Sequence, residues 1–174
     1  MKTGQGAGDR LPPVVSVVGR SGSGKTVFLE KLIAELKQRG FKVGTIKHHL
    51  HNFDIDQPGK DSWRHARAGS DTVIISSPKK VALIKQLENE MNIDQLVRDY
   101  MSDLDLVLTE GYKSRAKRRV EVYRNERGGE LVSAPEDLLA VVTDTLLDLD
   151  VPQFGLDEAA SVADLITQRV LRQP

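Results

Sequence analysis

Eight residues near the start of the chain carry its strongest chemical signal: Gly19-Arg20-Ser21-Gly22-Ser23-Gly24-Lys25-Thr26. They satisfy the Gly-x-x-x-x-Gly-Lys-Thr spacing in full, with a strand-like run before them and a helical pattern after. Glycines at 19, 22 and 24 let the backbone turn tightly and aim successive N–H groups inward, forming a nest for phosphate oxygens. A helix that begins near Lys25 adds the positive end of its dipole. Lys25 then reaches the β- and γ-phosphates as the candidate catalytic cation, and the Thr26 hydroxyl is a candidate Mg²⁺ ligand. The chemistry implied is binding of a Mg²⁺–nucleoside triphosphate.

Such a site needs a second acid beside Thr26, at the C-terminal end of a neighbouring parallel strand. Glu110 follows the run Leu104-Asp105-Leu106-Val107-Leu108 and is the candidate metal-site acid, although an exposed strand-end glutamate is the plainer reading. Gly111 could bring a backbone N–H to the γ-phosphate. Asp105 lies inside that strand and reads as structural. In the loop after Lys47, Asp54 or Asp56 could bind Mg²⁺ through water or position an attacking water. Asp56-Gln57-Pro58-Gly59 spells Asp-x-x-Gly, but it follows a loop and counts as chance. Asp144, after the run Leu139 to Thr143, is a candidate reader of guanine N1 and N2, with a strand-end turn aspartate as the alternative.

Two further clusters admit more than one chemistry. His48, His49 and His51 suggest a metal site, yet adjacent histidines seldom converge on one ion, and a nucleotide-responsive loop fits better. Lys113, Arg115, Lys117, Arg118 and Arg119 place five basic residues in seven positions. They read either as a solvated loop or as a seat for a second anionic ligand or an acidic partner.

The elements that must position these groups follow from hydrophobic periodicity. Val14 to Val18 predicts a buried strand, and Leu29, Leu32, Ile33 and Leu36 predict a helix stopped near Gly40. Lys42 to Lys47 predicts a second strand, which completes a right-handed βαβ unit. A polar loop from His48 to Lys60 leads to a short helix capped by Asp61 and ending at Gly69. Thr72 to Ser76 and Val81 to Ile84 predict a hairpin. A helix opening at Asn92, strands at 104–108, 120–123 and 139–143, and a terminal helix from near Asp157 complete the pattern. The fold class expected is α/β: a three-layer phosphate-loop NTPase domain with a mainly parallel sheet and a hairpin extension. Residues 1–11 read as a flexible tail and 12–174 as a single domain.

Composition narrows the function classes. The chain has no cysteine, which removes disulfides, thiolate metal sites and cysteine nucleophiles. Its formal net charge is zero and only 5% of residues are aromatic, so neither a global field nor a stacking platform recruits nucleic acid. No apolar run approaches the length needed to span a bilayer, and the first residues lack a signal-peptide core. A cytoplasmic location is expected, without membrane or nucleic-acid partners.

The phosphate loop, Lys47-His48-His49, Phe53-Asp54-Ile55-Asp56, Pro58-Gly59-Lys60-Asp61-Ser62, Ala68-Gly69-Ser70 and Leu106-Val107-Leu108-Thr109-Glu110-Gly111-Tyr112-Lys113 occur together and in one order. In this the chain resembles the molybdopterin-guanine dinucleotide biosynthesis adaptor (MobB) family from Val14 to its last helix. The resemblance implies GTP and Mg²⁺ as ligands, weak GTP hydrolysis and a homodimer. It also implies assistance to the guanylyltransferase MobA, with molybdopterin a second candidate ligand. On these residues it places the triphosphate at Gly19 to Thr26, and the ion at Thr26 and Glu110 with Asp54 contributing. Asp144 as guanine reader carries over more weakly, because no Asn-Lys-x-Asp surrounds it. A small-molecule kinase of the same fold and a GTPase metallochaperone are the alternatives. Arg64, Arg67 and Arg115 are the arginines considered for neutralising the transferred phosphoryl group.

Overall fold

The β-branched run Val14–Val18 forms strand β1, and the glycine-rich loop leads from it into helix α1, Lys25–Gln38. The computed structural model describes residues 11–49, 53–112 and 118–172. Its contacts divide the chain into two compact units, one built from the chain up to His48 and from Leu96 onward, the other from His49–Gln95. No helix among the described residues is long and apolar enough to cross a membrane.

The first unit is built on a sheet of six strands. These are β1, β2 (Val43–Lys47), β5 (Leu106–Glu110), β6 (Arg119–Tyr123), β7 (Leu138–Thr143) and β8 (Gln153–Phe154). Their order is β2-β5-β1-β6-β7-β8, and every neighbouring pair is parallel. Side chains alternate along these strands. Val15, Val17, Leu106, Leu108, Val120, Val122 and Val142 form one buried cluster with Phe28, Leu32 and Leu36 of α1 and with Val162, Ala163 and Ile166 of helix α4, Ala159–Ile166. The alternate residues Ser16, Val107, Thr109, Glu121 and Val141 are equally buried, so both faces are covered as a parallel sheet requires. A π-helical turn, Thr167–Leu171, extends α4. Arg39 ties α1 to α4, donating to the Ala160 carbonyl and to Asp164.

The second unit contains helix α2 (Asp61–Arg67) and the antiparallel hairpin of β3 (Thr72–Ser77) and β4 (Lys80–Lys85). Lys60, not Asp61, takes the cap position of α2. Lys60 keeps extended dihedrals and Asp61 is already helical, where its charge suits the dipole of the first turn. Helix α3 (Ile93–Tyr100) opens with a reciprocal capping box, in which the Gln95 N–H donates to Asn92 Oδ1 and the Asn92 N–H to Gln95 Oε1, both at 2.9 Å.

Two expectations shift. The strand expected at 104–108 runs instead over Leu106–Glu110. Asp105 therefore precedes the strand, and its Oδ2 accepts the Lys42 N–H at 2.6 Å, closing the entry to β2. Glu110 is the last residue of β5.

Candidate nucleotide-binding site

All strands of the main sheet point the same way, so their C-terminal ends converge on one edge, where open α/β sheets bind ligands. β1 lies between β5 and β6, with Val17 opposite Glu110 and Val18 opposite Glu121. A buried hydrogen bond between Ser16 Oγ and Thr109 Oγ1, 2.7 Å long, locks the β1–β5 register one residue before Glu110. That lock sets Glu110 level with the start of the phosphate loop.

The loop has the backbone that its glycines predict. Gly19, Gly22 and Gly24 all have positive φ, 140°, 75° and 93°, and a Cβ at Gly19 would run into the Val122 carbonyl of β6. Gly24 caps α1, and the next residues present the helix N-terminus. Arg20 and Ser21 are exposed, whereas Ser23 is buried, its hydroxyl without a partner among the described residues. Lys25 Nζ curls back onto the Arg20 carbonyl at 2.8 Å. Thr26 Oγ1 donates to Glu110 Oε1 at 3.0 Å, and Lys47 Nζ stands 3.8 Å from Glu110 Oε2. A hydroxyl and a largely buried carboxylate thus meet at the helix start, an oxygen set suited to a hard cation that keeps water and phosphate ligands. These residues fit a Mg²⁺–triphosphate. Gly111, at φ 90°, lets β5 leave the site: the His48 N–H donates to the Glu110 carbonyl at 2.9 Å, and a Cβ at 111 would sit 3.0 Å from the His48 carbonyl.

Asp144 lies at the end of β7, two strands from the loop. It lines a cavity of about 250 Å³ with Thr143, Thr145, Leu146, Gln153, Phe154 and Gly155. Its Oδ1 accepts the Asn125 N–H at 2.9 Å. Gln153 fixes the far side, exchanging hydrogen bonds with the Leu147 backbone at 2.9 and 2.8 Å.

Two arginines at this edge were not anticipated. The guanidinium of Arg127 lies against Gly22, 3.2 Å from where a Cβ would be, and that of Arg124 lies 3.7 Å from the corresponding point on Gly24. Arg124 also adds to the effect of Lys31, whose hydrogen bond is the main cause, in holding the Asp157 carboxyl below its ordinary value. The sequence signal was available: Arg124 directly follows β6, a parallel neighbour of β1, and residues there face the loop.

The other candidates are placed as follows. Asp54 is an exposed residue of the second unit. Asp56 holds its own loop, accepting from the Gln57 N–H at 2.8 Å and the Ser62 hydroxyl at 3.0 Å. The His48 ring lies 4.5 Å from Tyr112 and the His49 ring 6.1 Å from Phe53, so the two imidazoles engage different aromatics. No group of three metal-ligating side chains occurs among the described residues, and His51 falls outside them. Arg67 stacks over Trp63 at 5.5 Å and Arg64 lies 3.8 Å from Asp61. Of the basic stretch, Lys113, Arg115 and Lys117 lie outside the described residues, as does the tail through residue 10. Arg119 begins β6 and pairs with Asp137 at 3.3 Å.

Comparison with known proteins agrees with this architecture. Residues 14–144 match the family described as MobB, molybdopterin guanine dinucleotide synthesis protein B. The molybdopterin-guanine dinucleotide biosynthesis adapter protein of Haemophilus influenzae is 37% identical, covering 88% of this chain and 87% of its own. That of Escherichia coli K12 is 34% identical over 96% and 98%. A crystal structure of molybdopterin-guanine biosynthesis protein B superposes with TM-score 0.72 at 32% identity, covering 92% of this chain and 99% of that one. Bacillus subtilis MobB, at 24% identity and TM-score 0.75 over the same shares, shows the same fold. The chain belongs to the MobB family of molybdopterin-guanine dinucleotide biosynthesis adapter proteins.

Proposed function

We propose that this chain is a GTP-binding adaptor in molybdopterin-guanine dinucleotide biosynthesis, working with a MobA-like guanylyltransferase and hydrolysing GTP slowly on its own. The observation that carries the nucleotide reading is the meeting of Thr26 and Glu110 at the start of α1, beside a loop whose glycines turn its N–H groups inward. Lys25 would neutralise the β- and γ-phosphates once it releases the Arg20 carbonyl. Thr26 and Glu110 would serve Mg²⁺. The cavity beside Asp144 supports guanine as the base: it offers a carboxylate, the Phe154 ring and the exposed Leu146 side chain.

The adaptor part rests on family membership. The relatives' names state an adapter role in making this dinucleotide, and a guanylyltransferase is the enzyme such an adaptor would serve. Ile74, Ile75, Val81 and Leu83 are apolar and exposed on the β3–β4 hairpin, which supports a homodimer. We place the protein in the cytoplasm.

Thermal unfolding with Mg²⁺ and GTP, ATP or neither tests the nucleotide reading. A ligand at 100 times its dissociation constant stabilises by about 2.7 kcal/mol. A shift with GTP that exceeds the shift with ATP is expected, and no shift with either would refute the reading. Turnover of GTP by the purified chain at ordinary enzyme rates, with no increase on adding the guanylyltransferase, would refute the adaptor role.

A further inference from the structure

We propose that Arg124 and Arg127 form a built-in cationic clamp on the polyphosphate of the bound nucleotide. This rests on the nucleotide reading above and extends it to residues outside the phosphate-loop motif.

Three observations carry it. First, both guanidinium groups are already at the loop, Arg127 against Gly22 and Arg124 against Gly24, the glycines that shape the phosphate nest. Second, neither guanidinium has a hydrogen-bond or ion-pair partner among the described residues, whereas Arg20, Arg39, Arg64 and Arg119 each have one. A surface arginine without a partner is ordinary. Two converging on a loop built for anions, with no carboxylate in ion-pair contact and only the more distant field of Asp157 on Arg124, leave positive charge where a triphosphate would bring negative charge.

Third, the segment that carries them is pinned at three points. Its start is held by Asp144, whose Oδ1 accepts the Asn125 N–H at 2.9 Å, at the head of the single 3-10 turn Asn125–Arg127. Its middle is held by Arg20 of the phosphate loop, whose Nε and Nη2 donate to the Glu130 carbonyl at 3.3 and 3.2 Å. Gly129, at φ 80°, supplies the left-handed backbone of this turn, and a Cβ there would push the Arg20 guanidinium aside. Its end is held by the buried Glu121 of β6, which accepts the Val132 N–H at 2.7 Å and the Ser133 N–H at 3.0 Å. A connection pinned this way holds its arginines in place before the ligand arrives, which reduces the ordering cost of binding.

The pinning also gives Asp144 a second task. It lines the candidate base cavity with one side chain and holds the arginine segment with the same carboxylate. Base and phosphates would therefore be read by one connected structure, with Asp144 and Glu121 as positioning residues and the arginines as the groups that touch the ligand.

The test measures Mg²⁺–GTP affinity by titration calorimetry at low and at moderate salt. The proteins are the full chain and its Arg124→Ala, Arg127→Ala, double-Ala, double-Lys and Lys25→Ala variants, with the ligand-free melting temperature of each as a folding control. Each single Ala substitution is expected to weaken binding about tenfold, a loss of about 1.4 kcal/mol, and the double about a hundredfold. The double-Ala variant should also show a shallower salt dependence. Double-Lys should recover part of the affinity, since charge is kept and the planar fork lost. If Lys25→Ala abolishes binding while double-Ala binds as tightly as the parent at both salt concentrations, the clamp is overturned and the phosphate-loop reading stands. A parent chain that binds no GTP overturns both. Should the Ala variants melt early, the double-Lys variant and a double-Gln variant decide: with both melting as the parent does, tighter binding by the Lys pair than by the Gln pair upholds a cationic clamp, and equal affinity of the two overturns it.

Discussion

Thr26 Oγ1 and Glu110 Oε1 are hydrogen-bonded at 3.0 Å although 84 residues separate them. The contact exists because β5 lies beside β1 in parallel register, so that the end of one strand and the helix that follows the other share an edge. The bond joins an exposed hydroxyl to a carboxylate that also faces Lys47, three groups a divalent cation would rearrange.

Glu110→Gln tests that arrangement. The amide oxygen can still accept from Thr26, so the fold should keep its stability to within about 0.5 kcal/mol. The charge that would favour a cation is removed. The gain in GTP affinity on adding Mg²⁺, read by calorimetry with and without chelator, should fall about tenfold or more. An undiminished Mg²⁺ effect would exclude Glu110 from the ion's surroundings.

Asp144→Asn tests the base reading separately. A carboxylate accepts two N–H bonds from guanine N1 and N2, whereas an amide accepts one and donates one. The variant should lose GTP affinity, by about one to two orders of magnitude for a mispaired hydrogen bond to the base, and gain affinity for the triphosphate of xanthine, whose C2 carbonyl replaces the amino group. The remaining Oδ1 keeps the Asn125 contact, so binding through the phosphates should persist. Competition between the two nucleotides reads the change, and an unchanged preference would move the base elsewhere.

The legibility of this chain follows from where its chemistry is local. The phosphate loop, its strand and its helix lie within 25 residues and were readable from spacing alone, as Leu29, Leu32 and Leu36 show by all turning inward. The hairpin was readable because β3 and β4 are joined by Pro78-Lys79. Glu110 was identifiable only through the rule that parallel strands share a C-terminal edge. Arg124 and Arg127 were missed because a non-local pairing, β6 beside β1, brings them to the loop, and neither belongs to a motif. Arg64 and Arg67, candidates for neutralising the transferred phosphoryl group, each have a local partner. Asp105 was misplaced by two residues, since an apolar alternation reads the same whether an aspartate is inside a strand or caps its entry.

Glu121→Gln should lower stability and nucleotide affinity together. Glu121 is 1% exposed and its two oxygens accept separate backbone N–H groups, from Val132 and Ser133. A glutamine can satisfy one of them and turns its own NH₂ toward the other, at a cost of about 1–3 kcal/mol. The urea midpoint should fall accordingly. GTP affinity should fall as well, although Glu121 is buried beneath the edge, because the segment carrying Arg124 and Arg127 loses one of its pins. A destabilised variant with full GTP affinity would show that the segment needs no such anchor.

Arg39→Ala should separate stability from binding in the opposite sense. Arg39 sits past the C-terminal end of α1, a 14-residue helix whose first turn faces the phosphate loop. At 1.5 Å per residue, about 20 Å divide it from Lys25. Its guanidinium donates to the Glu35 carbonyl at 2.9 Å, Glu35 Oε2 at 2.7 Å, the Ala160 carbonyl at 3.1 Å and Asp164 Oδ1 at 2.9 Å. The hydrogen bond that it donates to Glu35, then that to Asp164, raise its pKa above the ordinary arginine value. A raised pKa means the contribution is present at lower pH and is lost only as pH climbs through that value, so it should be constant across the neutral range. The side chain is 24% exposed, which screens the pairs and places the loss at about 1–2 kcal/mol. Denaturant unfolding should show that loss with the same size at pH 6 and pH 8. The GTP dissociation constant should be unchanged, since Gly24 and Thr26 are held by β1, β5 and the first turn of α1, none of which Arg39 touches.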